Sequence, residues 1–276
     1  MVLRTGEMGY NGGMKKVTKL VLPVAGLGKR LRPLTLKTPK NLIAVNGKPL
    51  IEYVLEEARM GGIKEIVLIV NPAHRRHFER YIRTAQKWKF RGMRFRIYEQ
   101  TILGGDGHAL LQAYALLKNE PFAVRFCDDI VVSDPPVLGS LLKIFRGVSA
   151  PVVLLRLVPD ELVPRFGVVQ VRRVPPPGGL GPLYSILNIV EKPALKDAPS
   201  NLTIVGGYII TPRVLGNLKR IAGTLSLVAD DSLRIATALE VELIAGGKIY
   251  GWEFSGTRLD CGTLENLRKA EEFLVV

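Results

Sequence analysis

Residues Val21–Lys40 read VLPVAGLGKRLRPLTLKTPK, an apolar run that leads into a glycine-rich loop and a cluster of cations. The small residues Ala25, Gly26 and Gly28 let backbone N–H groups approach a phosphate or a nucleobase. Five cations that can neutralise a polyphosphate follow or lie within the loop: Lys29, Arg30, Arg32, Lys37 and Lys40. The stretch therefore predicts a buried strand that ends in a polyphosphate-binding loop.

Two familiar phosphate-binding motifs do not fit this loop. A P-loop has four residues between its first glycine and the Gly-Lys pair, whereas here only Leu27 separates the two glycines and Arg30 follows Lys29. A dinucleotide-binding fingerprint needs a third glycine at the position of Leu31. A turn with solvated charges would explain the glycines alone, but the accompanying cations and prolines favour a phosphate site.

Length and composition favour one elaborate α/β domain. The chain has 276 residues, 47% of them hydrophobic, which is enough to bury a large core. No window is apolar over the length of a membrane span, and residues 1–16 lack the apolar stretch of a secretory signal. We therefore expect a soluble cytoplasmic protein with a flexible N-terminal extension at residues 1–16. Cys127 and Cys261 match neither a disulfide framework nor a zinc site.

The formal net charge of +14 raises the question of nucleic-acid binding. Basic residues recur at helical spacing between residues 75 and 96, with aromatic residues interleaved; the set comprises Arg76, Arg80, Arg83 and Lys87 with Phe78, Tyr81, Trp88 and Phe90. A solvated basic helix face with buried aromatics is the commoner explanation. Because a positive field attracts nucleoside triphosphates and other polyanions alike, polyanion binding is kept only as a distant alternative.

Apolar periodicity alternates between strand and helix along the first half of the chain. The predicted strands are 19–25, 65–70, 94–99, 122–126, 151–157, 167–172, 183–191, 203–210 and 248–254; the predicted helices are 50–60, 73–87, 107–117, 137–145, 231–245 and 264–273. This order predicts an α/β fold with a Rossmann-like, mostly parallel twisted sheet flanked by helices. Paired β segments after Pro159 predict an additional β-rich portion.

Two acidic residues follow one of the predicted strands directly. In a parallel α/β sheet, ligands bind beyond the carboxyl ends of the strands, and Asp128 and Asp129 come immediately after the run 122–126. A carboxylate there is suited to Mg²⁺, which prefers oxygen ligands and also binds phosphate oxygens. Neighbouring side chains of an extended backbone point to opposite sides, so we expect only one of the two to reach a metal.

Six short sequence blocks follow the opening segment 25–71, and their order along the chain is informative. They are Glu99-Gln100 with Leu103-Gly104-Gly105-Asp106-Gly107-His108-Ala109, Phe126-Cys127-Asp128-Asp129, Phe166-Gly167-Val168-Val169, Val190-Glu191-Lys192-Pro193, Val205-Gly206-Gly207-Tyr208 and Leu259-Asp260-Cys261-Gly262. Over residues 18–272 this series resembles the sugar-1-phosphate nucleotidylyltransferase family, and most of all its bacterial-type UTP:glucose-1-phosphate uridylyltransferase branch.

The resemblance implies one nucleotidyltransferase domain at residues 17–276, with a nucleotide-binding part at about 17–158 and a sugar-binding part at about 159–276. It implies that a phosphate oxygen of glucose 1-phosphate attacks the α-phosphorus of UTP in line, giving UDP-glucose and pyrophosphate with Mg²⁺ as cofactor. Thymidylyl transfer, or transfer of another nucleotide, stays open because no residue separates uracil from thymine. We expect a homo-oligomer, a dimer or a tetramer, with no specific nucleic acid and no membrane as partner.

The same resemblance implies a role for each candidate site residue. Arg30 and Lys40 contact the triphosphate, Lys192 serves the sugar phosphate as the third catalytic cation, and Asp128 and Asp260 bind the metal. The nucleotide-binding candidates are Ala25, Gly26, Gly28, Lys29, Gln100 and Gly105, and the sugar-phosphate candidates are Gly167, Glu191, Lys192 and Val205. His108 is expected to pack or hydrogen-bond at a helix start instead of acting as a general base.

Three features depart from the family pattern. Lys29 stands where the loop usually has Thr or Ser, and Thr237 stands where an acidic residue is common. Cys127 and Cys261 each flank a proposed metal ligand, and we interpret both as small apolar residues at strand ends. None of these departures removes Lys40, Asp128, Lys192 or Asp260, whose loss would mark a non-catalytic relative.

Overall fold

The computed structural model describes residues 16–224 and 232–274 of the chain. Within these residues the strands, numbered along the chain, are β1 (Lys19–Pro23), β2 (Ala44–Val45), β3 (Lys48–Pro49), β4 (Glu65–Val70), β5 (Arg94–Glu99), β6 (Phe122–Arg125), β7 (Asp129–Val132), β8 (Val152–Leu157), β9 (Gly167–Val174), β10 (Leu183–Glu191), β11 (Leu202–Ile210), β12 (Tyr250–Glu253) and β13 (Thr257–Asp260).

Nine of these strands form one sheet in the order β5-β4-β1-β6-β11-β8-β12-β10-β9. Only β11 and β10 run against the other seven. In β1, Leu20 and Leu22 face one side and Val21 faces the other, and all three are fully buried. Such burial on both faces is typical of parallel strands under two helical layers. The predicted mostly parallel sheet is confirmed, as is the additional β-rich portion after Pro159, in which β9 and β10 pair with each other.

Helices cover both faces of this sheet. In chain order they are α1 (Leu50–Met60), α2 (Arg75–Trp88), α3 (Asp106–Leu111), α4 (Tyr114–Leu117), α5 (Val137–Val148), α6 (Pro212–Ala222), α7 (Ile235–Ile244) and α8 (Leu264–Leu274). Helices α1, α2 and α5 bury their apolar residues on one face, and α3, α4, α6 and α7 do so on the other. The result is a three-layer α/β arrangement. No helix among the described residues is both long enough and apolar enough to cross a bilayer.

A smaller apolar cluster anchors the glycine-rich loop to the rest of the molecule. Leu31, which follows the loop, is fully buried against Leu50 of α1 and Ile130 of β7. Cys261 and Leu267 of α8 complete the same cluster. Because β7 pairs with β13 outside the main sheet, this cluster brings the loop and the C-terminal segment to one edge of the sheet.

Several predicted elements differ from the structure. The predicted helix 107–117 is divided into α3 and α4, because Ala113 leaves helical geometry (φ −106°, ψ 19°). Helix α6 was not predicted, since Pro212 at its start reads as a turn although proline is well tolerated in the first helical turn. Trp88 was expected on the buried side of α2, but it is 83% exposed because the helix ends there.

Two predictions fall partly on residues that the structure does not describe. The predicted N-terminal extension, 1–16, lies outside the described residues except for Lys16. The predicted helix 231–245 begins at Ile235 in the structure, and its first predicted residue also lies outside the described part.

Candidate active site

The glycine-rich loop folds back at Gly28. This residue adopts a left-handed conformation (φ 59°, ψ 35°) and precedes a single 3-10 turn, Lys29–Leu31. Its carbonyl oxygen accepts hydrogen bonds from the backbone N–H of Leu31 at 2.9 Å and from the hydroxyl of Thr35 at 3.0 Å. A Cβ atom at Gly28 would lie 2.9 Å from Thr35 and 3.1 Å from Lys40. Glycine is therefore required here both for the backbone angle and for space.

The loop and two neighbouring segments enclose a cavity of about 240 Å³, which we call the loop cavity. Six candidate residues line it: Gly26, Gly28, Lys29, Arg30, Lys40 and Asp128. The ammonium group of Lys40 donates to the carboxylate of Asp128, so the proposed triphosphate cation and the proposed metal ligand are in direct contact. The structure thus brings together residues that lie 88 positions apart in the sequence.

A second cavity, of about 230 Å³, opens on the other side of the loop; we call it the Gln100 cavity. Four of the nucleotide-binding candidates line it: Ala25, Gly26, Gln100 and Gly105. Gln100 is 4% exposed, and its side-chain nitrogen donates to the carbonyl oxygen of Gly105 at 3.0 Å. The same nitrogen lies 3.2 Å from Nδ1 of His108, so the histidine has the hydrogen-bonding role predicted for it at the start of α3.

The two proposed metal ligands are placed by the β7–β13 ladder. Asp260 is paired with Asp129, and the backbone N–H of Cys261 donates to the carbonyl oxygen of Asp128 at 2.8 Å. Asp128 and Asp260 line one cavity of about 710 Å³, the central cavity, together with Arg30. Asp129 accepts from Arg258 at 2.6 Å and from the backbone N–H of Gly206 at 3.3 Å. Its carboxylate is therefore committed to Arg258 and the backbone, whereas Asp128 contacts Lys40 and lines both the loop cavity and the central cavity.

This pair of carboxylates fits a hard divalent cation. Among the described residues no group of three or more His, Cys, Asp and Glu side chains could hold a metal. Mg²⁺ commonly takes only one or two protein carboxylates and completes its octahedron with water and substrate phosphate oxygens. Asp128 and Asp260 would hold such an ion beside Arg30, whose guanidinium lies against Gly262, where an added Cβ would come within 3.2 Å of Nη2.

The sugar-side candidates are split between two cavities. Gly167 and Glu191 line a cavity of about 130 Å³, the Glu191 cavity, whereas Val205 lines the central cavity. Phe166 and Tyr208 line both cavities and so connect them. Lys192 is not brought to the site: its side chain is exposed and lines none of the four cavities described here.

Two residues near Glu191 were missed in the sequence. Arg234, at the start of α7, forms an ion pair with Glu191. Asp106 lines both the Gln100 cavity and the Glu191 cavity, and it accepts a hydrogen bond from the backbone N–H of Ile235 at 2.8 Å. Burial raises the pKa of Asp106, an effect that its backbone hydrogen bonds and Arg234 oppose. Thr237, one of the departures from the family pattern, lines none of the four cavities.

The central cavity also contains arginines that sequence reasoning passed over. Arg156 is the penultimate residue of strand β8, and Arg258 lies two residues before Asp260 in β13. Both positions carried a signal, because the strand-end rule that selects Asp128 applies equally to Arg156. Alternation along a strand places Arg258 on the same face as Asp260.

Comparison with known proteins places these features in a family context. Residues 19–275 match the nucleotidyl transferase family. A UTP–glucose-1-phosphate uridylyltransferase of Staphylococcus epidermidis is 32% identical over 267 residues, covering 90% of this chain and 89% of that protein. A crystal structure of UDP-glucose pyrophosphorylase complexed with UDP-glucose matches with a TM-score of 0.82 at 29% identity, over 94% of this chain and 98% of that one. A UTP-bound UGPase from Acinetobacter baumannii matches with a TM-score of 0.76 at 26% identity, over 94% and 93% of the two chains.

Proposed function

The chain belongs to the nucleotidyl transferase family, and we propose that it transfers a uridylyl group from UTP to glucose 1-phosphate, forming UDP-glucose and pyrophosphate. The observation that carries this proposal is the contact between Lys40 and Asp128 at the junction of the loop cavity and the central cavity. It joins a phosphate-binding loop to a carboxylate pair suited to a divalent cation. A nucleoside triphosphate and a sugar phosphate would meet at this junction.

On the nucleotide side, the base would enter the Gln100 cavity and the triphosphate would lie along the loop. Gln100 retains its side-chain oxygen as an acceptor for the imide N–H of uracil, because its nitrogen already donates to Gly105. Arg30 and Lys40 line the loop cavity, where they would hold the α-phosphate and the departing pyrophosphate. Lys29 would add a further positive charge at the mouth of this cavity.

On the sugar side, the hydroxyl groups of glucose 1-phosphate would bind in and around the Glu191 cavity. Glu191 and Gly167 line it directly, and Val205 lines the central cavity, which shares Phe166 and Tyr208 with it. Lys192 would have to swing its exposed side chain inward to reach the sugar phosphate. We keep the division into a nucleotide-binding part, about 17–158, and a sugar-binding part, about 159–276, as a part of this proposal.

The reaction needs positioning and charge stabilisation instead of a covalent enzyme intermediate. A phosphate oxygen of the sugar 1-phosphate forms a bond to the α-phosphorus while the bond to the bridging oxygen of pyrophosphate breaks. Arg30 and Lys40 would stabilise the charge that develops on the α-phosphate and the leaving group. When bound at Asp128 and Asp260, Mg²⁺ would neutralise phosphate charge and fix the geometry of the reacting groups.

Release of pyrophosphate tests the proposal. Purified protein is incubated with Mg²⁺ and glucose 1-phosphate while UTP, dTTP, ATP, CTP and GTP are offered in parallel. We expect the highest kcat/KM with UTP, and loss of turnover after addition of EDTA that Mg²⁺ restores. A preference for dTTP would keep the mechanism and change the substrate, whereas silence with every triphosphate over a panel of sugar 1-phosphates would refute the proposal.

A matched pair of variants controls this assay. Asp128→Asn should lower kcat by about 10²-fold or more, since it removes a charge from the metal site and leaves Lys40 unpaired. Asp197→Asn removes an exposed carboxylate that lines none of the four cavities and should leave turnover unchanged. Equal activity of the two variants would contradict the role given to Asp128.

We further propose that the enzyme acts in the cytoplasm as a homo-oligomer, a dimer or a tetramer. Light scattering coupled to gel filtration would measure the mass of the particle. A monomeric mass at working concentration would remove this part of the proposal without affecting the reaction.

A further inference from the structure

The central cavity contains an arginine that forms no ion pair with the described residues. Arg156, at the end of β8, lines this cavity, and its Nη1 atom is buried without a hydrogen-bond partner among the described residues. Its guanidinium lies over the ring of Phe254, 5.5 Å from the ring centroid. A guanidinium held on a ring face keeps its N–H groups at the rim, where an acceptor can reach them.

A second guanidinium stands beside it. Arg258 lines the same cavity, forms the ion pair with Asp129, and lies 5.1 Å from the centroid of the Phe166 ring. Its Nε atom is also buried without a partner in the described part of the chain. Burial, together with the charge of Arg258, lowers the pKa of Arg156, so the two cations are close enough to repel each other.

Such a pair is unfavourable unless an anion occupies the space between the groups. Buried N–H donors without acceptors, and like charges close together, both destabilise the protein that contains them. The three carboxylates of the cavity have other partners: Asp129 accepts from Nη2 of Arg258, Asp128 binds Lys40, and Asp260 accepts from the backbone N–H of Gly262. None of them pairs with Nη1 of Arg156 or Nε of Arg258, which have no hydrogen-bond partner among the described residues. A phosphate dianion, with several acceptor oxygens, would satisfy both unpaired donors at once.

The position of the pair indicates which phosphate it would hold. Arg258 shares a strand face with Asp260, so it lies one strand repeat from a proposed metal ligand. Phe166, whose ring lies under the guanidinium of Arg258, also lines the Glu191 cavity and directly precedes Gly167. The pair therefore lies between the metal carboxylates and the sugar-side cavity, away from the Gln100 cavity, which neither arginine lines.

We infer that Arg156 and Arg258 form a phosphate subsite that holds the phosphate of the sugar 1-phosphate beside the reacting α-phosphorus. The inference rests on the proposed function and adds to it a binding role for two residues outside the family motifs quoted above. It also gives the sugar phosphate a partner already inside the cavity, where the exposed Lys192 does not reach.

Kinetics of Arg156 variants test the subsite. Arg156→Gln should raise the KM for glucose 1-phosphate by about ten- to a hundredfold, the range for loss of a hydrogen bond to a charged group. The KM for UTP should stay within about twofold, and Arg156→Lys should fall between wild type and Arg156→Gln. Arg80→Gln, which removes an exposed arginine of α2, is the matched control and should match wild type.

Titration calorimetry provides a readout that does not depend on turnover. Glucose 1-phosphate is titrated into the enzyme saturated with Mg²⁺ and α,β-methylene UTP, whose bridging carbon prevents transfer. We expect Arg156→Gln to weaken this binding by the same factor as the KM. Unchanged binding in a variant whose unfolding midpoint equals that of wild type would overturn the subsite. A merely structural role for Arg156 would lower the unfolding midpoint without a selective loss of affinity for glucose 1-phosphate.

The remaining outcomes show whether the subsite binds the phosphate of the sugar or that of the nucleotide, and they distinguish failure of the subsite from failure of the proposed function. If Arg156→Gln weakened UTP and pyrophosphate as much as glucose 1-phosphate, the subsite would belong to the nucleotide and our assignment would be wrong. If wild type made no nucleotide sugar from any triphosphate, the proposed function would fail. If wild type were active and the Arg156→Gln variant kept its KM for glucose 1-phosphate, only the subsite would fail.

Discussion

At the residue scale, single side chains connect parts of the site that are far apart in the sequence. Lys40 reaches Asp128, Arg234 reaches Glu191, and the carboxylate of Asp106 accepts from the backbone that begins α7. Each contact ties a loop to a segment more than 40 positions away. The chemistry of the site therefore depends on positions that only the folded chain brings together.

The two loop glycines should respond differently to substitution by alanine. At Gly28 the added Cβ meets Thr35 at 2.9 Å and the backbone keeps φ at 59°, so Gly28→Ala should destabilise the protein by about 1–2 kcal/mol. At Gly26 an added Cβ would meet nothing within 4 Å, so Gly26→Ala should change the unfolding free energy by less than about 0.5 kcal/mol. Urea denaturation of both variants measures the difference; equal destabilisation would contradict the strained turn.

The carboxyl group of Asp106 should make stability depend on pH. Its folded-state pKa is raised by burial above the ordinary value of 3.8, so its contribution to stability is fully present below that value and is lost as pH rises through the folded pKa. Asp106→Asn removes the ionisation while its amide oxygen can still accept from Ile235. The unfolding free energy of the variant should therefore fall less than that of wild type as pH rises above the ordinary value. A steeper fall in the variant would refute this account.

At the element scale, one buried ion pair connects four secondary-structure elements. Arg125 of β6 is completely buried, donates to the carbonyl oxygens of Gly206 in β11 and Asp129 in β7, and pairs with Glu57 of α1. It thus fixes the small β7–β13 ladder, which carries the metal carboxylates, to the main sheet. The main effect of a buried cation with this many acceptors is to fix the relative positions of the elements that it joins.

Removal of this cation should be costly. Arg125→Met leaves Glu57 as an unpaired buried charge and the two carbonyl oxygens without their donor, so we expect a loss of about 3–5 kcal/mol in unfolding free energy. Arg75→Met, which breaks the exposed ion pairs with Glu79 and Glu99, should lose much less, because solvent screens exposed pairs. Guanidinium denaturation of both variants provides the measurement, and similar losses would contradict a central role for Arg125.

The local sequence pattern was enough to predict most helices and strands, but not the short ladder β7–β13 or the contacts between distant side chains. Strands such as Glu65–Val70 and helices such as Leu50–Met60 follow from apolar periodicity and from bounding glycines, both of which are local. The β7–β13 ladder escaped prediction because β7 and β13 are four residues long and their paired residues lie 125 to 131 positions apart in the sequence. The position of Asp128 directly after a predicted strand was enough to select it. Arg156 carried a similar signal that was passed over, whereas Arg234 was missed because its partner, Glu191, is set only by tertiary packing.

At the scale of the whole molecule, the positive charge is distributed between the site and a distant surface. Arg76, Arg80 and Arg83 are exposed on α2 and line none of the four cavities. The cations that line the cavities come from other parts of the chain: from the loop, from β8 and β13, from Arg165 before β9, from Arg234 at the start of α7 and from Lys269 in α8. The basic face of α2 can therefore affect the substrates only through the long-range field.

This separation predicts how a triple substitution distinguishes an enzyme from a polyanion-binding protein. In the variant Arg76→Gln, Arg80→Gln, Arg83→Gln, kcat with UTP and glucose 1-phosphate should stay within about twofold of wild type, because no group that contacts the reacting atoms is altered. The net charge falls from +14 to +11, so attraction of the anionic substrates should weaken slightly, and kcat/KM should become less sensitive to salt. Steady-state kinetics from 20 mM to 300 mM KCl measure both quantities. If turnover were lost in a variant that unfolds at the same temperature as wild type, the basic face of α2 would be part of the functional site, and the function would have to be sought in polyanion binding.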